Sequence, residues 1–331
     1  MSKLKIGMIS FAHGHAHSYL HALLSLPHEV EVAGIADESF ERVAETVRKH
    51  GLAYYEDYRR LLAADIDAVV ICSENVRHAE HTIAAAEAGK HVLCEKPLGV
   101  SVPEMERMIE TCRARGVQLM TAFPCRFIPA VAAAKAAVDR GDIGEIVAIK
   151  GTNRGTMPGG WFVDPALSGG GALLDHTVHV MDLMNWLTGS RVRDVYAHAA
   201  TLFHEGLAVD DAGMIHVQYE NGTVGVLDTS WSRNGAFPTW GDVTLEIIGT
   251  RGVISVDSFA QKNEWYDVRK GKGVWDYWGD SMDLAMIEAF ADAIRRGEPV
   301  PVTGEDGLRS AEVALAGYES SKRGQTVELA R

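Results

Sequence analysis

Between Leu4 and Ala122 short apolar runs alternate with stretches of helical period. The runs at 4–9, 30–36, 67–73, 91–94 and 117–122 have the length and composition of buried strands, and each neighbours a helix. That alternation predicts an α/β domain of Rossmann type, built on a doubly wound parallel sheet. One helix carries its apolar face at Phe40, Val43, Ala44 and Val47 and ends in Arg48-Lys49-His50-Gly51, cations and a glycine where the last turn favours them. Another is expected to start at Ser101, with Glu104 three residues on as the second half of a capping box. After Pro129 and a helix to Arg140 the texture changes. Residues 213–219 and 223–231 alternate about Glu220-Asn221-Gly222, a strong hairpin signal, and 243–248 and 252–256 do so about Gly249-Thr250-Arg251. The second part is therefore expected to be α+β with a large open antiparallel sheet. The expected domains are 1–122 and 123–331.

A chain of 331 residues is long enough for two cores, and 47% hydrophobic with 8% aromatic residues is ordinary for a soluble globular protein. The apolar run from Ile6 to Ala12 is too short to span a bilayer and lacks a signal-peptide cleavage pattern. The expected location is the cytoplasm, with no membrane partner. A net charge of −13 and the lack of a basic run argue against nucleic acid. They do not argue against a dinucleotide, whose pyrophosphate is usually held by backbone N–H groups at a helix start. Cys72, Cys94, Cys112 and Cys125 make no Cys-x-x-Cys pair and read as reduced packing residues.

Candidate chemistry gathers in four places. Cys94-Glu95-Lys96-Pro97 puts a lysine at the carboxyl end of a strand, the end that faces ligand in an open α/β sheet. Gly169-Gly170-Gly171 leads into a helix that brings Asp175 and, one turn later, His179 onto one face. In the first strand-to-helix loop the dinucleotide fingerprint G-x-G-x-x-G falls on Ser10, Ala12 and His15, so all three glycines are replaced. Ser10 and Ala12 remain small, and Gly14 is expected to supply flexibility one residue early. The loop Ser10, Phe11, Ala12 and His13 is still expected to hold pyrophosphate through backbone N–H groups. Asp37 ends the second strand at the offset where a carboxylate binds the adenosine ribose and repels a 2′-phosphate. Glu38 adds to that repulsion, and the nearest cation is Arg42, so NAD is favoured over NADP.

His13, His15 and His17 suggest a rival, a metal-dependent hydrolase with imidazoles at the end of a first strand. That chemistry belongs to a TIM barrel, whereas this chain turns to antiparallel hairpins, so no metal is expected. Trp161, in Pro158-Gly159-Gly160-Trp161, offers an indole to the apolar face of a sugar ring, as do Trp275 and Trp278. His176 either touches substrate or points away.

Together with Asn75 and His78, Ala88-Gly89-Lys90-His91-Val92, Arg126-Phe127, Gly141 with Gly144-Glu145, and Trp186-Leu187 with Gly189, these segments resemble the Gfo/Idh/MocA family of nicotinamide-dependent oxidoreductases. The resemblance covers nearly the whole chain. It implies an NAD(P)-dependent dehydrogenase acting on CH–OH groups of a sugar, cyclitol or polyol, in a protein that forms dimers or tetramers. Within it, His179 is the general base, Lys96 polarises the reacting oxygen, and Asp175 binds a neighbouring hydroxyl and orients the imidazole. It assigns Ser73, Asn75, His78, Glu95, Lys96 and Arg126 to the cofactor, and Trp161 and His176 to the substrate. Asp182 and Trp186 read as packing and hydrogen bonding between the domains. Glu74 departs from the family, which usually has proline there. The alternatives are an NAD-requiring glycosidase that oxidises a sugar transiently, and a nucleotide-binding sensor without turnover.

Overall fold

The computed structural model describes residues 3–329. They form two compact units, one running to Pro124 and including Ser281–Leu308, the other Cys125–Asp280 with the residues from Arg309 on. In the first, β1 (Leu4–Ile9), α1 (His15–Leu24), β2 (Val30–Ala36), α2 (Phe40–His50), β3 (Tyr54–Tyr55), α3 (Tyr58–Leu62), β4 (Ala68–Ile71), α4 (His78–Glu87), β5 (His91–Cys94), α5 (Val102–Arg115) and β6 (Leu119–Thr121) follow in chain order. Their strands make one parallel sheet of order β3-β2-β1-β4-β5-β6. Ile6, Met8, Val69, Val70, Val92 and Leu93 are fully buried. That burial is why these strands read as unbroken apolar runs rather than alternating ones. The sheet order reverses at β1, so the loops after β1 and β4 flank a switch point, the usual place for a ligand.

Local signals hold at the helix ends. Gly51 closes α2 in the left-handed region with φ 65°. Ser101 opens α5, its backbone N–H donating to Glu104 Oε1 at 3.0 Å. β3 was not anticipated, because two residues are too few to show a period.

The second unit contains α6 (Pro129–Asp139), β7 (Ile146–Gly155), α7 (Pro165–Ser168), α8 (Ala172–Thr188), β8 (Val192–Ala200), β9 (Ala212–Tyr219), β10 (Val224–Ser230), β11 (Gly241–Gly249), β12 (Val253–Asp257), β13 (Lys262–Asp267) and β14 (Lys272–Tyr277). Both expected hairpins form, β9–β10 and β11–β12. The large sheet runs β12-β11-β7-β10-β9-β8-β15, the last strand being Val327–Glu328, and is mixed, since β7 and β10 pair parallel while its other pairs are antiparallel. That pair is distant in sequence, with α8 and two strands between, so no hairpin pattern could announce it. α8 lies across this sheet on β7, β9 and β10. The chain then returns. α9 (Met282–Arg296) packs on α1 of the first unit, where Arg295 pairs with Glu29 at 2.5 Å. α10 (Gly304–Arg323) begins in the first unit and continues in the second, where β15 (Val327–Glu328) joins β8. A division at 122/123 places 281–308 in the second domain, whereas the structure folds that segment into the first.

Candidate functional site

The loop from β1 to α1 keeps the backbone of a glycine turn without the glycine. Ser10 has φ 68°, alone among the described non-glycine residues in the left-handed region, and its Oγ accepts from the Ala12 N–H at 3.1 Å. A short polar side chain bonded to its own turn eases a conformation that L-residues otherwise avoid. Gly14 has helical angles, φ −60° and ψ −26°, and open space where a Cβ would lie, so the flexibility expected of it is not used. Phe11 is buried, and its N–H donates to Asp37 Oδ2 at 2.7 Å. Asp37 therefore ties β2 to the first loop.

The surroundings of Asp37 correct one part of the sequence reading. Its carboxylate also accepts from Ser39 N–H at 2.9 Å and pairs with Arg42 Nη1 at 3.1 Å, while Arg77 pairs with Glu38 at 2.6 Å. The Arg77 guanidinium holds the Glu38 carboxyl below its usual range. Two guanidiniums thus stand at the strand end that was expected to show carboxylates to a 2′-phosphate with only Arg42 near. A cavity of about 240 Å³ opens here, lined among others by Ser10, Asp37, Glu38, Tyr58, Arg77 and His81. Burial, followed by the Arg77 charge, pushes the His81 imidazole down to about 4, so a neutral ring faces the cavity. Asp37→Ala is expected to weaken NAD and strengthen NADP, because Arg42 is then released toward a phosphate. Calorimetry with both cofactors measures the ratio, and an unchanged ratio would remove Asp37 from the ribose.

At the ends of β4 and β5 several assigned residues prove to hold the scaffold. His78 is fully buried, with Nδ1 2.8 Å from the Pro97 carbonyl and Nε2 3.1 Å from the Ser73 carbonyl. Burial drives this ring toward its neutral form, which has one N–H, and the shorter contact takes it. His78 therefore ties the loop after β4 to the loop carrying Lys96. Ser73 Oγ lies 3.0 Å from His81 Nδ1, and Asn75 is buried at the start of a 3₁₀ turn. Glu74 has φ −61° and ψ 148°, angles a proline would adopt, so the departure leaves the backbone intact. Lys96 and Glu95 are both buried at the carboxyl end of β5.

His13 and His15 meet at Glu95, with one ligand-type atom from each within 4.8 Å of the others. His17 is not part of this group and packs edge-on against Phe11. The trio expected of a metal hydrolase does not assemble. His13 Nδ1 accepts the backbone N–H of His15 at 3.1 Å, which puts the ring proton on Nε2, the nitrogen nearer Glu95. A protonated nitrogen is not a ligand.

In the second unit Asp175, His176, Thr177, His179 and Asp182 of α8 are buried along with most of its apolar residues. The start of the helix is held by Asp210. Its carboxylate accepts from Gly171 N–H at 3.2 Å, Leu173 N–H at 2.7 Å and the Tyr318 hydroxyl at 2.7 Å. The glycine run makes this possible, because a Cβ on Gly171 would lie 2.0 Å from the Asp210 carbonyl and one on Gly170 2.5 Å from Tyr318 Oη. Asp175 accepts from Trp231 Nε1 at 3.2 Å and has His176 Nε2 at 3.3 Å. The other nitrogen of His176 bonds the Asn153 carbonyl at 2.8 Å, the ring fitting where Gly155 has no side chain. His176 is thus engaged with protein at both nitrogens. His179 is buried one turn after Asp175.

Arg126, assigned to the cofactor, grips Asp182 through Nε at 2.7 Å and Nη2 at 2.5 Å, both residues buried in this unit, with its guanidinium carbon 5.3 Å from the Trp186 ring centre. Trp161 stacks on Phe162 with ring centroids 3.9 Å apart. Trp275 packs edge-on against Phe237 and carries Lys262 Nζ 3.9 Å from its ring centre. Asp210, Tyr318 and Trp231 were missed by the sequence reading. Nothing local marks them, since each acts on a helix far away in the chain.

Two family models match. That of an oxidoreductase family with an NAD-binding Rossmann fold covers residues 4–123, and that of the GFO/IDH/MocA C-terminal domain covers 131–255. The chain belongs to the GFO/IDH/MocA family. It is similar to a myo-inositol 2-dehydrogenase of Thermotoga maritima, 31% identical over 89% of this chain and 90% of that one. It is also similar to a levoglucosan dehydrogenase of Pseudarthrobacter phenanthrenivorans, 32% identical over 99% of both chains. Among solved structures, a scyllo-inositol dehydrogenase of Lactobacillus casei with bound NAD(H) and scyllo-inositol superposes with a TM-score of 0.84, at 25% identity and 99% coverage of each chain. The protein is an NAD(P)-dependent dehydrogenase, and NAD is its cofactor. The first unit fits that molecule, with the buried carboxylate of Asp37 at the end of β2 and a left-handed turn at Ser10 before α1. No helix among the described residues is long and apolar enough to cross a membrane.

Proposed function

We propose that the protein oxidises a secondary hydroxyl of a sugar, cyclitol or related polyol, or reduces the matching ketone. The observation that carries this reading is the set Asp175, His176 and His179, all buried near the start of α8. Ionisable groups are costly to bury, and a buried cluster of them beside a helix start is a candidate for chemistry. The named relatives act on inositols and an anhydrosugar, substrates with neighbouring secondary hydroxyls. NAD supplies the hydride acceptor. In this reading His179 takes the hydroxyl proton, Lys96 stabilises the negative charge developing on oxygen, and Asp175 receives a hydrogen bond from a neighbouring hydroxyl. Asp175 is held for that role by Trp231, and His176 supports it from the other side. Assembly into a dimer or tetramer through the open sheet remains part of this proposal.

A panel of inositols, anhydrosugars, aldoses and glycosides, scored by absorbance of reduced nicotinamide, tests the reading. Stoichiometric NADH with at least one cyclitol or sugar is expected. Cleavage of a glycoside without accumulation of NADH would replace the dehydrogenase reading with the transient-oxidation glycosidase.

A further inference from the structure

The cavity of about 240 Å³ at the end of β2 is ringed by paired charges. Arg42 bonds Asp37 at 3.1 Å, Arg59 bonds Glu80 at 3.2 Å, and Arg77 bonds Glu38 at 2.6 Å. The last pair holds a particular place. Glu38 directly follows Asp37 after β2, while Arg77 ends the 3₁₀ turn Asn75–Arg77 after β4. β1 lies between β2 and β4 in the sheet, and Ile9 at its end lines the same cavity together with Ser10. The Glu38–Arg77 bridge therefore joins the two sides of the switch-point crevice, where a dinucleotide binds in this kind of sheet.

The hydrogen bond from Arg77 holds the Glu38 carboxyl below its usual range, and the same bond raises the guanidinium, so both groups are ions. Glu74 Oε2 lies 3.9 Å from the same Arg77 nitrogen, close enough to feel its charge and too far for a hydrogen bond. The bridge is partly exposed, with 53% of the Glu38 side chain and 38% of the Arg77 side chain open to solvent. An exposed pair contributes little to stability, so breaking it leaves the fold in place. What it does control is charge. NADP differs from NAD by a phosphate on the adenosine ribose, and an arginine near the carboxyl end of the second strand is the usual partner of that phosphate. Arg77 is such a guanidinium, but its charge is already matched by Glu38.

We propose that Glu38 sets the cofactor preference by masking Arg77, the ion pair withholding from a 2′-phosphate a guanidinium that binds it once released. The inference rests on NAD binding to this unit with its adenosine ribose at Asp37. It adds to the strand-end carboxylate a second determinant, carried by the loop after β4, which a reading of β2 and its own helix does not include.

Calorimetric titration with NAD, and with NADP by competition against NAD, tests this on the full chain and on Glu38→Gln, Arg77→Gln and the double variant at one salt concentration. Glu38→Gln should tighten NADP roughly ten-fold, the effect of about one charge-assisted hydrogen bond, and leave NAD nearly unchanged. The gain should vanish in the double variant. Arg77→Gln alone should weaken NADP further, because Glu38 then faces the phosphate with its charge unmatched. Retained NAD affinity in each variant reports an intact site. A gain that persists in the double variant would overturn the inference, since Glu38 would then act by repulsion alone. So would an equal loss of NAD and NADP in Arg77→Gln, which would make the guanidinium a holder of the adenosine common to both. Unchanged NADP affinity in Glu38→Gln beside a shifted ratio in Asp37→Ala removes the mask and keeps the ribose at Asp37. No shift in either variant removes the ribose from this strand end, and the mask with it.

Discussion

Replacing His179 with alanine is expected to lower turnover by roughly 10²–10⁴-fold, the usual contribution of a positioned general base. Partial recovery should appear at high pH, where the alcohol gives up its proton more readily. The rival base on the same helix is His176, and the structure weakens its claim. One nitrogen is bonded to the Asn153 carbonyl and the other faces Asp175 at 3.3 Å, so accepting a substrate proton requires breaking an existing contact. His176→Ala should therefore raise KM and lower turnover less than His179→Ala does. Steady-state kinetics of both variants across a pH series decides the matter. If His179→Ala retains near-normal turnover, or if His176→Ala alone removes the acidic limb of the profile, the assignment of the base is wrong.

Lys96→Ala is expected to cost about a hundredfold in turnover, because a cation facing developing oxygen charge acts mainly in the transition state. NAD affinity should change much less. Lys96→Arg keeps the charge but replaces a compact ammonium with a planar fork at a buried position, so little rescue is expected. A loss of NAD affinity as large as the loss of turnover would make Lys96 a cofactor anchor instead. Calorimetric NAD titration beside initial-rate kinetics separates the two roles.

The parallel sheet was legible because each of its longer strands is buried on both faces and leaves an unbroken apolar run, while the two hairpins declared themselves through alternation about tight turns. The parallel pairing of β7 with β10 and the cap that Asp210 gives α8 were not legible, because long-range pairing leaves no local period. Candidate residues were found by type and spacing, but their tasks divide in three dimensions. Arg126 and His78, assigned to the cofactor by resemblance, are also tied into the protein, Arg126 to Asp182 and His78 to the Pro97 carbonyl. The first loop is a different case. The fingerprint is written in glycines, yet what the fold needs is a backbone angle, and Ser10 adopts it. A residue pattern therefore understates how much of the turn survives.

The return of residues 281–308 to the first unit also bears on how the protein is made. On the ribosome the sheet from β1 to β6 is available once Pro124 has emerged, but the helix that packs on α1 lies about 160 residues later. At ~5–20 residues per second that is a wait of roughly ten to thirty seconds, during which the α1 surface that packs on α9 stays uncovered. The nucleotide-binding unit is thus completed only after residues 125–280, the greater part of the second unit, have been synthesised.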